Sequence, residues 1–177
     1  PMNNPIDKIL EKKNRQERIS VREGLTLLKE ADFLSLAHMA NQIRFEKHPD
    51  KKVTYVVDRN INYTNICVSG CRFCAFYKPA DREEDGYVIT REELSQKIEE
   101  TIKLGGTQIL LQGGMHPGLD LDYYVDLLTF IKDRFDIHIH GFSPPEISFI
   151  AEKSKLGLAE TIAVLKQAGL ASIPGGG

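Results

Sequence analysis

From Lys52 onward, short segments rich in β-forming residues alternate with segments of helical periodicity, and this alternation constrains the fold more than any other feature. The predicted strands are VTYVV (53–57), INYTN (61–65), TQILLQGG (107–114), IHIHGF (137–142) and a last strand end in ASIPGGG (171–177). Strands that alternate with helices predict parallel βα units with right-handed crossovers, in either a barrel or an open α/β sheet.

Three helical segments are predicted between these strands. Their apolar faces carry, in chain order, Leu94, Ile98 and Ile102 after a Thr90 cap; Tyr124, Leu127, Leu128 and Ile131; and Leu158, Ile162 and Leu165 over 157–168. The prolines of SPPE, Pro144 and Pro145, are expected to set the direction of a loop.

The first fifty residues predict helices instead of strands. Ser20 and Glu23 of SVRE form a capping-box pattern, and a break is expected near Ala31-Asp32. An apolar stripe at helical spacing is interpreted as core, and it comprises Leu25, Leu28, Phe33, Leu34, Leu36, Met39 and Ile43. The expected organisation is therefore a helical segment over 1–50 and an α/β region over 51–177.

Period-two alternation predicts which side chains of a strand share a face. Apolar pairs such as Ile109 with Leu111 and Ile137 with Ile139 should pack against outer helices. The opposite faces carry Asn62, Thr64, Gln112, His138 and His140. So polar a set predicts an interior that holds a ligand.

The number of strands is small for a finished barrel. A complete βα barrel takes about 250 residues, whereas these 177 residues offer four or five strands. We therefore expect the front half of a larger domain, whose open sheet edge could pair with another chain and allow self-association.

Charge and composition exclude several classes of function. Lys and Arg number 23 against 25 Asp and Glu, so nothing predicts a nucleic-acid partner. No apolar run approaches the roughly 20 residues of a membrane span, and the polar N-terminus is not expected to be a signal peptide. An odd, clustered set of cysteines fits a reducing compartment, and we expect the cytoplasm.

All three cysteines lie in ICVSGCRFCAFY, as Cys67, Cys71 and Cys74 with C-x3-C-x2-C spacing. Structural zinc takes four ligands, and an ordinary ferredoxin cluster takes four thiolates. Three thiolates would leave one iron of a [4Fe–4S] cluster without a protein ligand. From spacing alone, two alternatives stay open: three structural thiols, or zinc with a fourth ligand from His48, His116, His138 or His140.

The cysteine loop resembles the signature of the radical SAM family, with Phe73 at the aromatic position before the last cysteine. The segments LLQGGMHP, HIHGFSPPE and GLASIPGGG extend the resemblance to the branch of futalosine-pathway (menaquinone) and deazaflavin enzymes, from about Arg59 to the C-terminus. The resemblance implies an α/β fold that is the N-terminal part of a radical SAM (β/α) barrel, a partial TIM barrel, preceded by α-helices.

The resemblance also implies two cofactors, a [4Fe–4S] cluster on Cys67, Cys71 and Cys74, and S-adenosyl-L-methionine (SAM). An external one-electron donor of the flavodoxin or ferredoxin type would reduce the cluster. Met115 stands where the family's Gly-Gly motif is followed by an acid. The implied cofactor-binding residues are Phe73, Tyr77, Gln112, Gly113, Gly114, Ser143 and Glu146.

The activity that the resemblance implies is cyclisation of the nucleoside dehypoxanthine futalosine in menaquinone biosynthesis. A 5′-deoxyadenosyl radical would remove hydrogen from C4′ of the ribose, and the carbon radical would attack the attached aromatic ring. Loss of an electron and a proton then restores aromaticity, for which His140 or Glu146 is the expected catalytic base, with His138 also open. The alternatives are a deazaflavin FO synthase subunit, aminofutalosine synthase, or a non-catalytic iron–sulfur module.

Overall fold

The structure, a computed structural model, describes residues 5–50, 52–81 and 86–175, apart from the side chain of Lys13. The chain separates into two compact units, Pro1–Thr54 and Tyr55–Gly177. Among the described residues, no helix has the length and apolar character needed to cross a membrane.

The first unit consists of helices α1 (Pro5–Asn14), α2 (Val21–Glu30) and α3 (Phe33–Lys47). Ser20 caps α2 in the predicted capping box: its hydroxyl accepts from the Glu23 N–H at 3.3 Å, and Glu23 Oε2 accepts from the Ser20 N–H at 2.7 Å. Asp32 caps α3 through the Ser35 N–H at 3.0 Å. The cap and the break near Ala31-Asp32 are both confirmed.

The apolar stripe of this unit was wrongly interpreted as core over much of its length. Met39 is buried, but Leu28, Phe33 and Leu34 are 75–80% exposed, and Leu25 is exposed as well. The pattern identified helical periodicity correctly, but helical periodicity does not show whether a partner covers the apolar face.

Over its described residues, the second unit is an α/β fold built on three parallel strands. Its elements are β1 (Asp58–Asn62), α4 (Arg91–Lys103), β2 (Gln108–Gln112), α5 (Leu121–Arg134), β3 (His138–Gly141), α6 (Pro144–Ser154) and α7 (Leu158–Ala168). The sheet order is β1-β2-β3, with Ile61 beside Leu111 and Ile109 beside Ile139. The predicted parallel βα units are confirmed, and the unit is a partial (β/α) barrel preceded by α-helices.

The first strand lies later than the β-rich sequence predicted. Residues 53–57, all described, form no strand, and of the predicted 61–65 only residues 61 and 62 belong to β1. Val53 and Tyr55 are more than 80% exposed, so their β-forming side chains have no packed surface to fit. At the other end, Ser172 forms a single parallel bridge with His140, and Gly176 and Gly177 lie outside the described residues.

The core lies between the sheet and its helices, as the alternation predicted. Ile61, Ile109, Leu111 and Ile139 are at most 2% exposed, and the four predicted residues of α5 are buried with them. The predicted burial of three helix residues was wrong, because Ile102, Leu158 and Ile162 are 39–54% exposed. On α7 the buried face instead carries Thr161, Leu165 and Ala168, which are spaced by four and three residues.

Helix α6 was missed because its first turn contains two prolines. Ser143 is its N-cap, and Pro144 and Pro145 occupy the first helical positions. A proline fits there because its fixed φ suits the helix and its missing N–H would have had no partner within the helix. The pair therefore starts a helix, and the expected loop is wrong.

Candidate active site

The three cysteines lie on a loop that hydrogen bonds hold at both of its ends. The Cys67 N–H donates to the Lys78 carbonyl at 2.9 Å, and the Val68 N–H donates to the Met115 carbonyl at 3.0 Å. Within the loop, the Cys74 N–H donates to the Cys71 carbonyl at 3.1 Å. The loop is thereby connected to the segment that follows it and to the segment after β2.

The three thiols of the loop are not paired in disulfides. All three are free; Cys71 is exposed, and Cys67 and Cys74 are half-buried. Across 5–50, 52–81 and 86–175, no three His, Cys, Asp or Glu side chains are grouped closely enough for a single metal ion. In an iron–sulfur cluster each thiolate binds a different iron, so three free thiols on one loop have the chemistry that a [4Fe–4S] cluster requires.

Gly113 and Gly114 follow β2 and lie directly against the chain around the cysteine loop. A Cβ on Gly114 would stand 2.0 Å from the Ile66 carbonyl oxygen and 3.0 Å from Cys67 Cβ. A Cβ on Gly113 would stand 2.7 Å from ring carbons of Tyr63. The two glycines, expected to permit approach of a ligand, here permit approach of the protein to itself.

Gln112, which precedes the glycines, and Gly114 also form hydrogen bonds with residues at the end of β1. Gln112 is half-buried, and its carbonyl accepts from the Asn62 side-chain amide at 3.1 Å and from the Tyr63 N–H at 3.3 Å. The Gly114 N–H donates to the Thr64 carbonyl at 2.9 Å. Hydrogen bonds therefore join the ends of β1 and β2 on the side where the cysteines lie.

Glu146, at the start of α6, is 5% exposed and accepts four hydrogen bonds. Its Oε1 accepts from the Tyr63 hydroxyl at 2.8 Å and the Gly113 N–H at 2.9 Å. Its Oε2 accepts from the Ser143 N–H at 2.8 Å and the Ser143 hydroxyl at 2.5 Å. Glu146 thus contacts both Ser143 and Gly113, and the predicted contacts of Ser143 and Glu146 with SAM remain predictions.

Burial raises the pKa of Glu146, and the hydrogen bonds from Ser143, Tyr63 and Gly113 lower it by a smaller amount. Burial, followed by the nearby Glu146 charge, raises the pKa of Tyr63 well above 10, so its phenol keeps its proton and donates. Sequence reasoning did not identify Tyr63 as a site residue. A tyrosine on an apolar strand face was the available signal, because a buried hydroxyl needs a partner.

His138 and His140 share one partner, the Ser172 hydroxyl. The distances to Ser172 Oγ are 2.7 Å from His138 Nε2 and 2.6 Å from His140 Nδ1. His138 is exposed and His140 half-buried. Since a hydroxyl both donates and accepts, the three side chains form a continuous hydrogen-bonded chain. Ser172 was also missed by sequence reasoning.

Other residues of the predicted site lie apart from this network. Thr64, expected to line the interior, is fully buried and donates to the Tyr87 carbonyl at 2.6 Å. The prediction that Thr64 faces a ligand in the interior is therefore wrong. Phe73 is completely exposed and Tyr77 half-buried, and their roles as cofactor contacts remain predictions.

Comparisons with known proteins agree with this fold. The chain is 47% identical over 173 residues to cyclic dehypoxanthine futalosine synthase of Halalkalibacterium halodurans, covering 97% of this chain and 46% of that protein. It is 40% identical over 179 residues to 5-amino-6-(D-ribitylamino)uracil--L-tyrosine 4-hydroxyphenyl transferase of Trichormus variabilis, covering 96% of this chain and 45% of that protein. The chain therefore spans less than half the length of these curated relatives.

A solved structure shows the same fold at low sequence identity. HydG, a maturase of the [FeFe]-hydrogenase, superposes with a TM-score of 0.63 at 17% identity, over 97% of this chain and 46% of that one. The family model described as the radical SAM superfamily matches residues 61–176, which hold the cysteine loop and the ends of all three strands. Because this match covers more than half of the sequence, the chain belongs to the radical SAM superfamily.

Proposed function

We propose that this chain is the N-terminal part of a radical SAM enzyme that converts dehypoxanthine futalosine to cyclic dehypoxanthine futalosine in menaquinone biosynthesis. The observation that carries the proposal is the 47% identity over 173 residues to a synthase of that name, against 40% to the transferase. The three-cysteine loop beside Gly113 and Gly114 supplies a site of the kind that such an enzyme requires.

The chain's own residues would hold the cofactors. Cys67, Cys71 and Cys74 would bind three irons of a [4Fe–4S] cluster and leave the fourth iron free for SAM. When bound, the cluster and SAM supply reductive cleavage of a sulfonium and a radical able to remove hydrogen from a sugar carbon. Gly113 and Gly114 would orient the methionyl part, because they lie directly against the start of the cysteine loop.

His140 is the residue we propose as proton acceptor. Each carboxylate oxygen of Glu146 already accepts two hydrogen bonds, which leaves little capacity for a substrate proton. His140 Nδ1 faces Ser172 Oγ, so the proton would be accepted at Nε2. Ser172 and the exposed His138 would connect His140 to solvent.

The test uses the full-length protein that contains this chain, reconstituted anaerobically and given dehypoxanthine futalosine, SAM and a flavodoxin-type reductant. We expect 5′-deoxyadenosine and a product two hydrogens lighter than the substrate, because one hydrogen leaves by abstraction and the other as an electron and a proton. His140→Gln should lower turnover by about 100-fold or more, whereas His38→Gln, in the N-terminal unit, should not. Absence of product despite SAM cleavage would reject the cyclase.

A second candidate is the transferase reaction, which the 40% identity over 179 residues favours. The same preparation would then act on 5-amino-6-(D-ribitylamino)uracil and tyrosine, the substrates in that relative's name. Product from these two compounds and none from dehypoxanthine futalosine would establish this alternative. If neither dehypoxanthine futalosine nor the two transferase substrates gave a product, the aminofutalosine synthase reaction would be tested next. A bound cluster without SAM cleavage would indicate a non-catalytic iron–sulfur module.

We also propose a cellular compartment, an electron donor and an oligomeric contact for the enzyme. Three clustered free thiols fit a reducing compartment, for which we propose the cytoplasm. We propose an external one-electron donor of the flavodoxin or ferredoxin type, because reductive cleavage of a sulfonium consumes an electron that amino-acid side chains do not supply. Self-association through the open sheet edge is a further proposal, and light scattering of the 177-residue chain tests it.

A further inference from the structure

Three neighbouring strand ends meet at one buried carboxylate. Tyr63 follows β1, Gly113 follows β2 and Ser143 follows β3, and all three donate to Glu146. We propose that Glu146 is a positioning residue that holds the Gly113–Gly114 segment, and through it the cysteine loop, in the arrangement that binds SAM. This inference holds for either reaction considered above.

A short series of contacts connects Glu146 to the cysteines. Glu146 Oε1 fixes the Gly113 N–H, and the next residue, Gly114, lies against the Ile66 carbonyl and Cys67 Cβ. One residue further, the Met115 carbonyl accepts from the Val68 N–H inside the loop. A shift of Gly113 would therefore be transmitted to the residues on both sides of Cys67.

The ring of Tyr63 packs against Gly113, and the Tyr63 hydroxyl donates a hydrogen bond to Glu146. The ring is buried and lies edge-on to Tyr124 and Phe142, with centroids 5.7 Å away in each case. Its position is therefore set by core packing. Tyr63 supplies a rigid surface under Gly113, and Glu146 holds the backbone of Gly113 against that surface.

The hydrogen-bond donors specify a carboxylate at position 146. Oε1 accepts from the Gly113 N–H and Oε2 accepts from the Ser143 N–H. A backbone N–H only donates, so glutamine in either orientation would direct its NH₂ group at one of these donors. Glu146→Gln is thus nearly isosteric but cannot satisfy both strand ends, and this property makes it the informative variant.

Hydrogen exchange on the 177-residue chain is the first test, and it requires no cofactor. In Glu146→Gln we expect the Gly113, Gly114 and Val68 amides to exchange about 10-fold faster or more, as loss of a charge-assisted hydrogen bond predicts. Glu152→Gln, an exposed position on the same helix, is the matched control and should change none of these amides. Exchange within twofold of the unsubstituted chain would overturn the proposal.

SAM binding to the reconstituted chain distinguishes a positioning role of Glu146 from a role in the stability of the fold alone. Glu146→Gln should keep its iron content but bind SAM about 10-fold more weakly, with the SAM-induced change in the spectrum of the reduced cluster diminished. Unchanged SAM affinity would contradict the proposal, and so would a loss of bound iron equal to the loss of SAM affinity. If Glu146→Gln does not fold, Tyr63→Phe replaces it. That variant should accelerate Gly113 exchange several-fold, and no acceleration would equally reject the proposal.

Discussion

The backbone of Gly114 lies so close to Ile66 that a Cβ on the glycine would stand 2.0 Å from the Ile66 carbonyl oxygen. Gly114 follows β2, and Ile66 immediately precedes the first cysteine. Glycine at position 114 is thus required by the packing of one strand end on the start of the cysteine loop.

Gly114→Ala should destabilise the chain and impair cluster assembly. Relief of a 2.0 Å contact with backbone requires a shift of the segment after β2 or of the loop, and overpacking of this kind costs about 1–3 kcal/mol of unfolding free energy. The measurements are urea denaturation of the chain and its iron content after reconstitution.

Gly24→Ala is the control for this substitution. Gly24 lies within α2 with nothing within 4 Å of its Cβ position, so alanine there should stabilise the helix by about 0.5–1 kcal/mol. Equal stability of the two variants would show that the close approach of Gly114 to Ile66 is incorrect.

Substitution of any one cysteine of the loop should abolish stable cluster binding. Reconstitution of the unsubstituted chain should give about four irons, and removal of one of three thiolates leaves too few ligands to retain them. Cys67→Ala, Cys71→Ala and Cys74→Ala are compared by iron and sulfide analysis. Ser69→Ala, whose hydroxyl lies 3.0 Å from Cys71 Sγ, should retain iron. Four irons in all three cysteine variants would reject the assignment of the ligands.

Two leucines of α7 should differ sharply in their contribution to stability. Leu165 is fully buried, and its change to alanine should cost about 2–5 kcal/mol of unfolding free energy. Leu158 is 54% exposed, and its change to alanine should cost less than about 0.5 kcal/mol. Denaturation of the two variants side by side checks the orientation of the helix, which a larger loss for Leu158 would contradict.

Acid should weaken the N-terminal helical unit through Glu23. Hydrogen bonds from Lys12 and Ser20 lower the pKa of Glu23 from its ordinary 4.5 to about 2. The folded pKa is the lower one, so this stabilisation is present above pH 4.5 and is lost as the pH falls towards 2. Circular dichroism during acid titration should show a shallower loss of helix in Glu23→Gln, which already lacks the charge. Identical titrations would show that Glu23 contributes nothing.

Sequence patterns predicted the α/β class, the parallel units and most of the core, because these depend on periodicity that neighbouring residues encode. The buried faces of β2 and α5 and the caps at Ser20 and Thr90 are such local features. The prediction of a strand at residues 53–57 was wrong because β propensity describes how well a side chain fits a packed sheet, and no packed sheet covers these side chains. Helix α6 was missed because two prolines were interpreted without regard to their permitted place in a first turn.

The sequence by itself determined the chemistry available at the site: three clustered thiols, two glycines after a strand, and histidines alternating on another strand. Only the tertiary structure decided how these groups are joined. Glu146 accepts hydrogen bonds from residues 83 and 33 positions away in the chain, and the hydroxyl of Ser172 joins two histidines more than 30 positions before it. Such contacts depend on which strand ends become neighbours in a parallel sheet, and local periodicity does not encode that order.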